Sequence, residues 1–153
     1  MTEHPSLKER LHSDLNAAMK ARDAVTTATL RMALTAVTTE EVAGKSARQL
    51  SDDEVLRVLT REAKKRREAA EAFDGAGRTE LAERERAEGI VLDRYLPAQV
   101  GDDELGELVA AAIAESGASG PRDMGAVMKL VQPRVAGRAD GKRVSEEVRR
   151  RLG

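Results

Sequence analysis

Apolar residues recur every three or four positions along this chain, and polar punctuation cuts the pattern into seven helical stretches. Ser6-Leu-Lys-Glu9 is a capping box: the serine hydroxyl accepts from the amide three residues on, and the glutamate reaches back to the Ser6 amide. It predicts a helix running to about Ala21. Asp23 can cap a second helix, in which Leu30, Leu34 and Val37 recur at helical spacing up to about Val42. The Thr and Val residues of that stretch lose rotamer freedom in a helix, so packing has to compensate. Gly44 to Leu50 reads as a loop, and Ser51-Asp-Asp-Glu54 repeats the capping box at the head of the longest pattern, about Asp52 to Phe73. Asp74-Gly-Ala-Gly77 breaks it. A fourth helix, about Arg78 to Tyr95, must stop near Pro97, because proline disfavours the helical conformation in the residue before it.

Leu96 to Gly101 is the best domain boundary in the chain. Beyond it, Asp102 to about Ser116 places Leu105, Leu108, Val109, Ala112 and Ile113 along one side of a helix, and Gly117 to Pro121 forms a loop. Two final helices, about Arg122 to Val135 and Gly141 to Leu152, flank the turn Gly137-Arg-Ala-Asp-Gly141. Pro133 falls where a helix should be ending, Gly125 permits close backbone approach, and Asp140 is placed to cap the last helix. No segment shows period-two alternation bounded by hairpin turns. The expected fold is all-α: a larger N-terminal helical bundle over residues 1–96, followed by a small three-helix C-terminal lobe over 97–153.

Composition sharpens this picture. The chain has no Trp or Cys and one Phe and one Tyr, so Leu, Val, Ala and Met must fill the interior, which suits helix-on-helix packing. Lys and Arg number 26 against 27 Asp and Glu, a formal net charge of -1 that excludes a globally basic nucleic-acid binder but leaves room for a local basic patch. Without cysteine there are no disulfides or thiolate metal sites. No run approaches the ~20 apolar residues needed to span a bilayer, and the first residues carry no apolar targeting core, so a cytoplasmic protein with no membrane partner is expected.

Some charges sit where a core should be. At roughly 100° per residue, Val55, Leu59, Ala63, Arg66, Ala70 and Phe73 share one stripe of the third helix. On the fourth, Leu81, Glu85, Glu88 and Leu92 share one face within about 60°. An arginine in one apolar stripe and two carboxylates in the next predict antiparallel packing with Arg66 reaching Glu85 or Glu88. Paired carboxylates can do acid/base work, whereas an ion pair can fix helix register. With no nucleophile or metal ligand nearby, the structural ion pair is the expectation.

The search for other chemistry returns few candidates. His4 and His12 fall on the solvated side of the first helix, without the partners a catalytic imidazole needs. There is no nucleophile elbow and no phosphate-binding loop, so no catalytic, cofactor or metal residue is assigned. Arg57, Arg61, Lys64 and Lys65 line one side of the third helix, but Glu62, Glu68 and Glu71 interleave with them as on a solvated, salt-bridged face. A second cluster gathers Arg122, Lys129, Arg134, Arg138, Lys142 and Arg143, with Arg149 to Arg151 at its end. The only acids between Arg122 and Arg143 are Asp123 and Asp140, both expected as helix caps. Lys129, Arg134, Arg138, Lys142 and Arg143 therefore form a candidate anion-binding surface, against the alternative of a plain solvated face.

Leu30-Arg-Met32, Glu62-Ala-Lys-Lys-Arg66 with Phe73, Ala76-Gly-Arg78 with Leu81, Glu85 and Glu88, Tyr95-Leu-Pro97 and the segment from Asp123 to Val144 stand in an order and spacing that resembles the GatB/YqeY family over nearly the whole chain. Members are stand-alone relatives of the tail domain of a glutamine-dependent Asp/Glu-tRNA amidotransferase. The resemblance implies an all-α fold with a small C-terminal lobe. It also implies tRNA or other structured RNA, or a translation-related protein, as partner, which makes Lys129, Arg134, Arg138, Lys142 and Arg143 the candidate RNA-binding residues. In the amidotransferase the related domain is an appendage that engages the tRNA body, and the residues for carbon-nitrogen ligase chemistry with glutamine as amido donor have no counterpart here. An accessory role beside partner subunits of such a ligase, or a helical adaptor role, are the alternatives. Gly101 stands where the family usually has a serine-type cap, and Lys65 replaces a frequent glutamine.

Overall fold

The computed structural model describes residues 4–153, and among them every regular element is helical. Seven α-helices follow in order: α1 (Leu7–Lys20), α2 (Ala24–Glu41), α3 (Asp52–Gly75), α4 (Thr79–Asp93), α5 (Asp102–Ser116), α6 (Met124–Val135) and α7 (Gly141–Leu152), with a 3-10 turn over Pro121–Asp123. The chain divides into two compact units, Met1–Leu96 and Pro97–Gly153.

Local chemistry accounts for the helix ends of the first unit. Both capping boxes form: Ser6 Oγ accepts from the Glu9 amide at 3.1 Å, and Ser51 Oγ from the Glu54 amide at 3.2 Å. Asp23 caps α2 by accepting from the Thr26 amide at 3.1 Å and the Thr26 hydroxyl at 2.7 Å. Gly77 (φ +71°) closes α3 as the left-handed residue of a Schellman motif. There the Arg78 amide donates to the Phe73 carbonyl at 2.7 Å and the Gly77 amide to Asp74 at 3.1 Å. The same motif closes α1, with Arg22 (φ +57°) in the position that glycine normally takes. The β-branched residues of α2 fold their polar atoms onto the helix. Thr29, Thr35 and Thr39 donate to the carbonyls four residues back at 2.8 to 2.9 Å.

The core of the first unit joins Leu7 and Leu11 of α1, Leu30, Ala33, Leu34 and Val37 of α2, Val55, Val58, Leu59 and Ala63 of α3, and Val91 and Leu92 of α4. Past Ala63 and before Val91, the α3–α4 hairpin buries only Ala70 and Ala82, small side chains that allow two helices to lie close. Glu41 sits buried behind the loop that follows α2. Its carboxylate accepts from Lys8 Nζ at 2.8 Å and the Leu50 amide at 3.3 Å, and the Lys8 bond holds its pKa below the usual range.

The second unit is built on valine: Val100, Val109, Val127, Val131, Val135, Val144 and Val148 are buried with Leu105 and Ala112. Asp140 caps α7 through the Lys142 amide at 3.1 Å. Asp123 does not cap α6. Its carboxylate accepts from the Ser119 amide at 3.0 Å, because the 3-10 turn delays α6 to Met124 and swings that side chain back over the loop. Pro133 lies inside α6, which continues to Val135. In the last turn a proline forfeits a single hydrogen bond to the carbonyl of Lys129, an exposed residue. The helix ends instead where Ala136 (φ +44°) and Gly137 (φ +80°) turn left-handed. At Gly125 nothing lies within 4 Å of where a Cβ would stand, so the close approach expected there is absent among the described residues.

Candidate functional site

Arg66, Glu85 and Glu88 meet between α3 and α4. Arg66 Nε lies 3.2 Å from Glu88 Oε2 and 3.6 Å from Glu85 Oε2, and the side chain is 18% exposed. A third carboxylate joins them. Glu62 is buried, with Oε2 3.6 Å from Arg66 Nη2, so it does not belong to the solvated face that its interleaving with lysines suggested. Its position one helical turn before Arg66 was the signal to read. Met32 of α2 completes the shell, its sulfur 2.9 Å from Arg66 Nη2. Neither Arg66 Nε nor Glu85 Oε2 closes a hydrogen bond. This constellation joins side chains of α2, α3 and α4. Among the described residues no group of three or more metal-ligating side chains could hold a metal ion.

The candidate RNA-binding residues have two different surroundings. Lys129 and Lys142 are exposed and carry no ion pair among the described residues. Arg134, Arg138 and Arg143 each face a carboxylate of α5: Arg134 pairs with Glu115, Arg138 Nη2 lies 3.3 Å from Glu104, and Arg143 Nη2 lies 2.7 Å from Asp102. Arg138 also serves the fold. Its Nε donates to the Ala98 carbonyl at 3.0 Å, and its own carbonyl accepts from the Val100 amide at 2.8 Å, fastening the segment that leads into α5. At the end of α7, Arg150 and Arg151 both grip Glu147 at 2.7 Å and hold its pKa down.

A groove of about 760 Å³ runs between α5 and α7, floored by Leu105, Gly106 and Ala110 and walled by Arg143, Arg150 and Arg151 against Asp102, Asp103 and Glu107. Gly106 shapes it: a Cβ there would stand 2.7 Å from Arg151 Nη2. The sequence reading passed over Gly106, although a glycine inside a helix with no left-handed turn to serve is itself a packing signal.

In the first unit, Tyr95 Oη donates to Asp14 Oδ2 at 2.5 Å while Arg10 lies 5.4 Å above the ring. Burial, then Asp14, raises the phenol pKa. His4 and His12 are exposed, as are Arg57, Arg61, Lys64 and Lys65. Arg61 pairs with Glu40 at 3.5 Å and Lys65 with Glu62 at 3.4 Å.

Comparison with known proteins places this geometry in a family context. The sequence profile of the Yqey-like protein family matches residues 8–152. A protein of Pyrenophora tritici-repentis, named altered inheritance of mitochondria protein 41, is 33% identical over 150 residues, covering 94% of this chain and 80% of that protein. The uncharacterized protein C22F3.15 of Schizosaccharomyces pombe is 36% identical over 94 residues, covering 61% of this chain and 74% of its own length.

Proposed function

The chain belongs to the YqeY-like protein family, and from that premise we propose that it is a translation-related accessory protein, without catalysis of its own, that holds structured RNA, tRNA above all, on its C-terminal lobe. One observation carries this reading. Among the described residues the Lys129 and Lys142 side chains stand exposed without a carboxylate partner, and the arginine pairs of the same lobe lie at the surface. An exposed ion pair contributes only about 0–1 kcal/mol, so a phosphate can displace Glu104 from Arg138 or Asp102 from Arg143 at small cost.

The same arrangement limits the affinity. Nine basic residues of the lobe face nine acidic ones, and Phe73 and Tyr95, the chain's two aromatics, both lie in the first unit. Binding is therefore weak and electrostatic. A log-log salt slope of about -2 to -4 is expected, from roughly three to five phosphate contacts. The test is tRNA binding at several salt concentrations for the protein and for Lys129→Ala plus Lys142→Ala. Arg138 is left in place because it fastens the Ala98–Val100 segment. Loss of affinity with a shallower slope supports the reading. Unchanged binding, or no binding at low salt, refutes it.

A further inference from the structure

We propose that the corner between α1 and α2 is a docking surface for an acidic, amphipathic helix of a partner protein. The exposed face of α2 is unlike that of a solvated helix. From Ala24 to Thr39 its only charged residue is Arg31, whereas the exposed face of α3 carries Arg57, Arg61, Lys64, Lys65, Glu68 and Glu71. The hydroxyls of Thr35 and Thr39 are committed to their own helix. Beside this face, Met19 is 40% and Val25 42% exposed. A hollow of about 500 Å³ is lined by Met19, Arg22, Ala24, Thr27, Ala28 and Arg31. Depletion of charge around exposed Met and Arg is the composition of an interface centre.

Charge selects the occupant. Two arginines line the hollow and no carboxylate does; among the described residues Arg31 Nη2 reaches the Met19 sulfur, at 3.2 Å, and Arg22 has no ion-pair partner. Covering these guanidinium groups without a counter-charge would strand them, so the occupant has to bring carboxylates beside its apolar side chains. The shape fits a helix: Ala24, Ala28, Arg31 and Thr35 follow one another at intervals of four, three and four, a seam of about three turns. A second copy of this chain would set arginine against arginine across a two-fold axis. RNA would find an apolar floor with no aromatic ring on which to stack a base.

Selection of a random peptide display library, each peptide about 16 residues and so long enough for the seam, against the full chain tests this. Selected peptides are expected to carry acidic residues three or four positions apart beside Leu, Ile or Phe. A synthetic copy should lose at least about tenfold in affinity, some 1.4 kcal/mol, for Arg22→Gly plus Arg31→Ala. Arg22→Gly relieves a left-handed residue, so circular dichroism and Tm should be held or raised in that variant and the loss cannot be laid to unfolding. Lys129→Ala plus Lys142→Ala should leave peptide binding untouched, which separates this surface from the RNA reading. A consensus without acids, binding that survives the double variant, displacement of the peptide by polyuridylate, or a dimer in light scattering that the same substitutions dissolve would each overturn the proposal.

Discussion

In the first unit, Arg66 is enclosed by Glu62, Glu85 and Glu88 while Arg22 and Arg31 face solvent without an ion-pair partner among the described residues; in the second, Arg134, Arg138, Arg143, Arg150 and Arg151 each hold an acid, all of these arginines at the surface. The same residue type is thus a core fastener, an open cation and a neutralised one. Burial and the direction of the nearest carboxylate separate these states. Cation density along the chain does not: the last third, the most basic to the eye, is the part where α5 returns the balancing charge. A guanidinium out of water depends strongly on its partners, one in water hardly at all.

The largest effect is expected where the enclosure is tightest. Arg66→Ala leaves three carboxylates in a half-closed site and should cost about 2–4 kcal/mol, below the upper range for full burial because the site is not sealed. Arg143→Ala, whose partner Asp102 is almost fully exposed, should cost less than about 1 kcal/mol. Urea denaturation of both variants decides. Equal losses would erase the distinction between the units.

Next in size is the release of the lobe's arginines. If α5 neutralises them, Glu104→Gln plus Glu115→Gln should free Arg138 and Arg134 and raise tRNA affinity at low salt by up to about tenfold, with a steeper salt slope. Titrations at matched ionic strength measure it. Affinity that stays level would mean that these arginines never meet phosphate.

How far this was legible in the sequence depends on the range of the interaction. Caps, breakers and helical periodicity act over a few residues, and the ends of all seven helices fall within two residues of those that the sequence pattern predicts, as at Ser6, Asp23, Ser51 and Asp140. Arg66 against Glu85 and Glu88 needed only two stripes and one antiparallel hairpin. The pairing of Arg134, Arg138 and Arg143 with Glu115, Glu104 and Asp102 spans 19 to 41 residues and depends on how α5 lies against its neighbours, which no local pattern encodes. Asp123 misled for a related reason: its side chain had two amides within reach, and a three-residue 3-10 turn decided between them.

Acid should separate the units again, more gently. The Arg48 bond and the Ser51 cap hold Glu54 at a pKa of about 2, and Asp23 and Glu41 are lowered by Thr26 and Lys8; in the second unit Glu147 is lowered by Arg150 and Arg151. Each titrates lower in the fold than in the unfolded chain, whose glutamates titrate near 4.3. Their contribution is therefore complete above that value and disappears as the pH falls toward about 2. Probes placed in each unit should show the first losing more of its stability between pH 5 and 2. A larger loss in the second unit would mean that its surface pairs outweigh the caps.

The smallest expected change lies at the entrance to α5, where the two units differ in how a helix begins. α1 and α3 start with serine boxes, whereas Gly101 brings no side chain to α5, whose first turn carries Asp102, Asp103 and Glu104. Those carboxylates favour the helix N-terminus through its dipole, yet Asp102 and Glu104 are also the partners of Arg143 and Arg138, so they serve two electrostatic roles at once. Gly101 has an extended backbone (φ -71°, ψ 164°) and open space where a Cβ would stand, so serine fits without strain. Gly101→Ser should add a few tenths of a kcal/mol, about 0.3, by giving the free amides of α5 a hydroxyl acceptor. The gain should persist in high salt, because a neutral cap is not screened as the dipole's charges are. A rise in Tm that vanishes in salt would show that the substitution acts by shifting the carboxylates and their arginine pairs, and that the α5 entrance is held by charge alone.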